Sequence, residues 1–176
     1  AVLHAEGHVH STDLAHVPPR TAWTVTALRD VVGHLTTETD HRFLSRRIFT
    51  SSASYRDLRA KRAQFAQSLA AASALGFLLG LGDRHPDNIL FDVPTGEVVH
   101  IDYNVIFDAG LRLEVPERVP FRLTPSLVRA LGSAGGGVNG PFRICFERVV
   151  ALTRRRIPDL LVAVEASLMD PLVDWA

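Results

Sequence analysis

The strongest constraint on this chain is an abrupt change of texture near residue 80. From Tyr55 to Leu79 the sequence is a long helix-favouring run, and Ser51-Ser52-Ala53-Ser54 places capping hydroxyls just before it. Its first half, YRDLRAKRAQ, is charged and its second half, SLAAASALGFLLG, is apolar, so the helix is expected to start at the surface and dive into the core. Gly80 and Gly82 then end it. Short β-prone pieces follow, Asn88-Ile89-Leu90-Phe91 and Glu97-Val98-Val99-His100-Ile101, on either side of the turn signal Val93-Pro94-Thr95-Gly96. A long helix is thus expected to be followed by a β-hairpin.

The rest reads mostly as helix. Apolar residues at Trp23, Val25, Leu28, Val31, Val32 and Leu35 recur at three- and four-residue steps, which predicts an amphipathic helix with Thr21 a candidate cap. A shorter helix is predicted around His41 to Phe49. Residues 103–123 are mixed and interrupted by Pro116 and Pro120, the texture of a long ordered loop of the kind that is usually functional. Thr124-Pro125 reads as the cap and first residue of another helix. A glycine-rich link from Gly132 to Gly140 leads to helical runs at Phe142 to Arg155 and Pro158 to Leu168. The fold class is therefore α+β, mostly helical, with one central hairpin.

Composition excludes several functions. The 176 residues suffice for one domain or part of one, and 19 basic against 19 acidic residues leave no net charge to attract a polyanion, so no direct nucleic-acid site is expected. Of the basic residues only Lys61 is lysine. The single Cys145 allows no internal disulfide and reads as a small buried apolar residue. The weakly polar stretch Leu69 to Gly82 is too short to cross a bilayer, so no membrane partner is expected. The first twenty residues hold His4, His8, His10 and His16 at spacings that match no common metal site, and read as a loop or tail. The chain opens at Ala1 with no secretory leader, as a piece of a longer protein would.

Two short motifs are set aside. Gly135 to Gly140 spells G-x-G-x-x-G but follows a predicted helix, where a dinucleotide loop should follow a strand. His85-Pro86-Asp87 is the tripeptide of J-domain co-chaperones, which carry it between two helices, whereas β-prone residues follow it here.

The informative constellation spans the junction itself. Asp83 and Asn88 in G-D-R-H-P-D-N-I-L stand five apart, the interval of Asp and Asn in the kinase catalytic loop, where Asp meets the substrate hydroxyl and Asn holds Mg²⁺. With the turn centred on Thr95, antiparallel partners sum to about 190, which pairs Leu90 with His100 and Asn88 with Asp102. Asn88 and Asp102 are thus expected together at the open end of the hairpin, beside Asp83. Two oxygen ligands on different strands can share a hard cation while a third carboxylate faces an incoming hydroxyl, the arrangement phosphoryl transfer needs.

The segments G-L-G-D-R-H-P-D-N-I-L, T-G-E-V-V-H-I-D and V-P-E-R-V-P-F-R-L-T resemble the catalytic and activation loops of the phosphatidylinositol-3-kinase-related protein kinases. Most of that family carry D-F-G where this chain has Asp102-Tyr103-Asn104. The variant I-D-Y-N-V, with D-P-L-V-D-W at residues 170–175, resembles the branch that acts in nonsense-mediated mRNA decay. The resemblance covers roughly residues 20–175.

It implies the carboxy-terminal lobe of a phosphatidylinositol 3-/4-kinase-like catalytic domain in residues 21–176, after a loop or tail over 1–20. Within it, the catalytic loop would occupy residues 80–90, the hairpin 88–102, the activation loop 103–123 and the last helices 124–169. It further implies Asp83 as the group that orients and deprotonates a Ser or Thr hydroxyl, His85 as a contact to the γ-phosphate, Asn88 and Asp102 as ligands of Mg²⁺ (or Mn²⁺), and Arg84 as structural. The cofactor would be ATP, the partner a protein substrate with Ser or Thr before Gln, and the compartment cytoplasm or nucleus. In the activation loop Arg112, Arg118 and Arg122 are offset by Asp108, Glu114 and Glu117, which favours a protein over an inositol lipid. A lipid kinase and a catalytically silent scaffold stay open as alternatives.

Two departures stand out. Pro86 occupies a position where the family usually has Leu, and either alters or stiffens the loop. Upstream of Asp83 there is no glycine-rich strand-loop and no β3-type lysine, since Lys61 lies in a charged helical run. The amino-terminal lobe is therefore expected outside this chain, and the 176 residues alone are expected to be inactive.

Overall fold

A computed structural model of the chain describes residues 23–107, 109–113, 116–133 and 136–169. The histidine-bearing stretch 1–20, the candidate cap Thr21, the loop charges Asp108 and Glu114, Gly135 and the motif at 170–175 lie outside the described residues.

The chain divides into two compact units at Thr39 and Asp40. In the first, α1 (Val25–Glu38) begins where the Thr24 hydroxyl accepts the Ala27 N–H at 3.2 Å, so Thr24 is the cap. The expected stripe of Val25, Leu28, Val32 and Leu35 runs along it at helical spacing.

The second unit is built around α3 (Tyr55–Leu79), preceded by α2 (Phe43–Thr50) and followed by β1 (Ile89–Phe91), β2 (Val98–His100), α4 (Pro125–Leu131), α5 (Pro141–Arg155) and α6 (Ile157–Leu168). Ser54 caps α3 by accepting the Asp57 N–H at 3.1 Å, while the Asp57 carboxylate reaches back to the Ala53 N–H at 2.9 Å. Gly80 ends it in the left-handed region (φ 61°), and the Leu81 N–H returns to the Gly76 carbonyl at 2.8 Å.

The expectation that α3 dives from surface to core is corrected. It buries one face from end to end, with Leu58, Lys61, Phe65, Leu69, Ser73 and Gly76 in helical register, while Leu75, Phe77 and Leu78 of its apolar half stay exposed. The stripe in the charged half was hidden because Lys61 occupies one of its positions. That side chain is buried because its ammonium donates to the Ser51 carbonyl at 2.7 Å, with the Asp57 carboxylate 3.6 Å away.

The core gathers Ile48, Leu58, Phe65, Leu69, Val98, Leu127, Leu131 and Phe142, with Cys145 half-buried at its margin. α3 packs against α5, α2, α4 and the hairpin. The two strands are short, and three consecutive hairpin residues seat them on α3. Gly96 (φ 83°) lies so close that a Cβ there would fall 2.6 Å from the Lys61 carbonyl oxygen. Glu97 bonds to the Gln64 amide, and the Val98 N–H donates to the Ser68 hydroxyl at 2.9 Å. Phe65 meets Phe91 edge to face, 6.1 Å between centroids.

The hairpin register also differs from expectation. Ile89 pairs with His100, Leu90 with Val99 and Phe91 with Val98, so partners sum to 189. The turn is a four-residue loop closed by the Asp92–Glu97 and Gly96–Asp92 main-chain bonds at 2.8 and 2.7 Å, with the Asp92 carboxylate held by Thr95. Asn88 therefore faces Ile101, and Asp102 stands one residue further along. The glycine-rich link follows α4, has a 3₁₀ turn at Gly137–Asn139 and leads into α5, a helix-to-helix connection as expected.

Candidate active site

The loop after α3 is built to present Asp83. Its main-chain φ is 54°, in the left-handed region that few non-glycine residues occupy, and Asp102 on the far side shares it at 59°. Arg84 ties the two together. Its guanidinium is buried and donates to the main-chain oxygens of Gly82 at 2.7 Å, Ile101 at 2.6 Å and Asp102, with the Tyr103 ring 5.8 Å away. The expectation that Arg84 is structural thus becomes specific: it clamps the hairpin's exit strand to the loop that carries Asp83.

Asn88 closes the same loop from inside. It is buried, and its amide nitrogen donates to the Asp83 carbonyl at 2.8 Å, which leaves the side-chain oxygen as its acceptor. Its own carbonyl takes the Ile101 N–H at 3.1 Å. The Asp102 carboxylate accepts the Asn104 N–H at 3.2 Å, and that is where Asn104 meets the site.

His85 stands over Asp83. Its Nε2 lies 3.9 Å from the Asp83 carboxylate, beyond hydrogen-bond reach, and its Nδ1 accepts the Asp87 N–H at 3.2 Å. That bond puts the proton of the neutral ring on Nε2, where it can be donated. His85 also caps a 3₁₀ turn, Pro86–Asn88, whose first residue needs no N–H donor. Pro86 therefore stiffens the loop without disturbing it. Beneath, His100 is half-buried with both ring nitrogens unbonded among the described residues, and burial, reinforced by the Arg84 charge, holds its imidazole below the ordinary pKa.

The described part of the 103–123 loop docks on this frame. The Gly82 N–H donates to Val105 and the Phe107 N–H to Leu79, both at 2.8 Å. A 3₁₀ turn at Ala109–Arg112 then presents the Gly110 carbonyl to the Glu117 N–H at 3.1 Å, and the Glu117 carboxylate accepts the Asp83 N–H at 2.9 Å. Sequence reasoning counted Glu117 only as a counter-charge. The signal available in the sequence was the pair Gly82 and Gly110, whose missing side chains make room for it.

Chemically, the site offers an exposed carboxylate on a rigid loop, a ring N–H next to it, an amide oxygen just before β1 and a carboxylate just after β2. The last two are hard oxygen ligands, the type that shares Mg²⁺ with phosphate oxygens and water. Their donor chemistry suits a divalent cation, and the described residues hold no group of three or more His, Cys, Asp or Glu side chains placed to cage one.

Comparison with known proteins agrees with this frame. The profile of the phosphatidylinositol 3- and 4-kinase family matches residues 8–176. The chain is 41% identical over 157 residues to the serine/threonine-protein kinase Smg1 of Drosophila melanogaster, and 43% identical over 162 residues to the probable serine/threonine-protein kinase smg1 of Dictyostelium discoideum. These alignments cover 89% and 92% of this chain but only 5% and 7% of those proteins. Among solved structures, the FAT and kinase domain of CtTel1 superimposes with a TM-score of 0.78 at 37% identity, over 87% of this chain and 11% of that one. By sequence and by fold, the chain belongs to the phosphatidylinositol 3- and 4-kinase family.

Proposed function

We propose that the protein containing this chain transfers the γ-phosphoryl group of ATP to Ser or Thr hydroxyls of proteins, and that this chain is the carboxy-terminal lobe of its catalytic domain. The observation that carries the reading is the joint immobilisation of Asp83 and Asp102, two left-handed aspartates on segments that one arginine fork joins through the carbonyls of Gly82, Ile101 and Asp102. Phosphoryl transfer asks little covalent chemistry of a protein and much positioning, which is what that frame supplies.

Each residue has a role in this reading. Asp83 aligns the substrate hydroxyl and takes its proton as the new P–O bond forms. His85 donates from Nε2 to a γ-phosphate oxygen. Asn88 and Asp102 would hold Mg²⁺, which, when bound, neutralises charge developing on the phosphate oxygens. Glycine-rich loop and lysine clamp would come from elsewhere in the parent protein. Both sequence relatives named above are serine/threonine-protein kinases, which supports a protein substrate; the Ser/Thr-Gln target and the role in nonsense-mediated mRNA decay rest on the resemblance of the motifs alone. No helix among the described residues is long and apolar enough to cross a membrane. Action in the cytoplasm or nucleus is part of the proposal and rests on the resemblance.

The test uses the full-length protein with Mg²⁺-ATP, a Ser-Gln peptide and phosphatidylinositol vesicles. Phosphorylation of the peptide, lowered about 10²- to 10⁴-fold by Asp83→Asn, is the expected result. Transfer to the lipid alone makes it a lipid kinase, and no effect of Asp83→Asn makes the retained loop a scaffold.

A further inference from the structure

Glu117 stands outside every role assigned above, yet it is the side chain that holds the main-chain nitrogen of Asp83. The contact has a built seat. A Cβ on Gly82 would lie 2.6 Å from the Glu117 Oε2, and one on Gly110 3.0 Å from it. The backbones of those two glycines approach so closely that the Gly82 Cβ would also stand 3.2 Å from the Gly110 Cα. The carboxylate thus fits a slot between the catalytic loop and the 3₁₀ turn of the activation loop, and its own N–H is tied to Gly110. Asp83 is then gripped at both ends of its peptide frame, with the amide nitrogen on Glu117 and the carbonyl on Asn88.

A hydrogen bond to an ionised acceptor is about twice as strong as a neutral one. Here it secures a residue whose φ of 54° costs free energy to maintain. The stretch 103–123 contains no Ser or Thr, so its order cannot come from adding a phosphate to such a hydroxyl there. A carboxylate already in the sequence takes that place.

We propose that Glu117 is a positioning residue, a latch by which a docked activation loop sets the backbone of the catalytic base Asp83. The proposal rests on the kinase reading for its effect on rate, but not for the contact itself. Loss of the latch should leave Asp83 free to leave the left-handed conformation, misplacing its carboxylate while the binding surfaces for ATP and peptide stay in place.

The experiment compares Glu117→Ala and Glu117→Gln in the full-length protein, with Asp83→Asn as reference. Glu117→Ala should lower kcat about 10- to 100-fold with KM for ATP and peptide within about twofold, the cost of a small misplacement of a catalytic group. Glu117→Gln, whose amide oxygen still accepts the Asp83 N–H, should recover most of that loss. Hydrogen exchange, read on the same proteins, should show the Asp83 amide deprotected in Glu117→Ala and protected in Glu117→Gln. An unchanged Asp83 amide in Glu117→Ala overturns the latch, as does an unchanged kcat when Asp83→Asn is inactive. Equal loss in both variants with a lowered melting temperature also overturns it, in favour of a merely structural role. Should the wild-type protein phosphorylate nothing, the kinase reading fails, and the exchange result alone decides whether the latch exists.

Discussion

At the scale of single residues, the site depends on Arg84, a cation whose hydrogen bonds among the described residues go to main-chain carbonyls. The three carbonyls facing Arg84 belong to two segments far apart in sequence, and only a planar fork reaches them together. Arg84→Lys keeps the charge but donates from one point, so it should leave at least one buried carbonyl unpaired. The expected cost is about 2–3 kcal/mol in stability, seen as a lower denaturation midpoint, with a fall in kcat because Asp102 loses its anchor. Asp83, Asn88 and Asp102 could be proposed from residue type and interval, and His85 from the resemblance, because reacting groups constrain both; the structure gathers them around one loop, and their roles belong to the proposal. Glu117 was not legible in the sequence, since its partner is a main-chain N–H 34 residues away, and any backbone amide looks alike in a sequence. The left-handed φ of Asp83 and Asp102 was equally hidden, as aspartate signals no such conformation by itself.

At the scale of elements, long periodic segments and their ends were readable, and the pairing of the strands was not. α3, α5 and the Thr124-Pro125 start of α4 fall within a residue of expectation, because caps and glycine stops act locally. The hairpin was correctly located but slipped by one in register, since turn length, which sets it, cannot be read from a Pro-Thr-Gly signal alone. What fixes the true register is α3: Gly96, Glu97 and Val98 meet Lys61, Gln64 and Ser68 along one helical stripe. Gly96→Ala should disturb all three contacts, for it adds a Cβ against backbone at a positive φ. A cost of about 1–3 kcal/mol is expected, measured as a fall in Tm, with larger loss of activity than any substitution at exposed Thr95.

At the scale of the whole molecule, the chain spans a small fraction of the relatives it matches, 5% of one Smg1 protein and 7% of another. It supplies the candidate base and the candidate metal ligands but no lysine placed to clamp phosphates. Purified alone and offered Mg²⁺-ATP with a Ser-Gln peptide, the 176 residues should show no kinase activity, and measurable Mg²⁺-dependent transfer would refute this. The same residue has a further consequence. Lys61 carries the chain's one side-chain amine, it is 6% exposed, and its three donor positions face Ser51 and Asp57. While this region is folded, lysine acylation, ubiquitin attachment to lysine and amine-directed nucleotide probes find no accessible side-chain amine on it, so any such lysine mark on the parent protein reports on a different region.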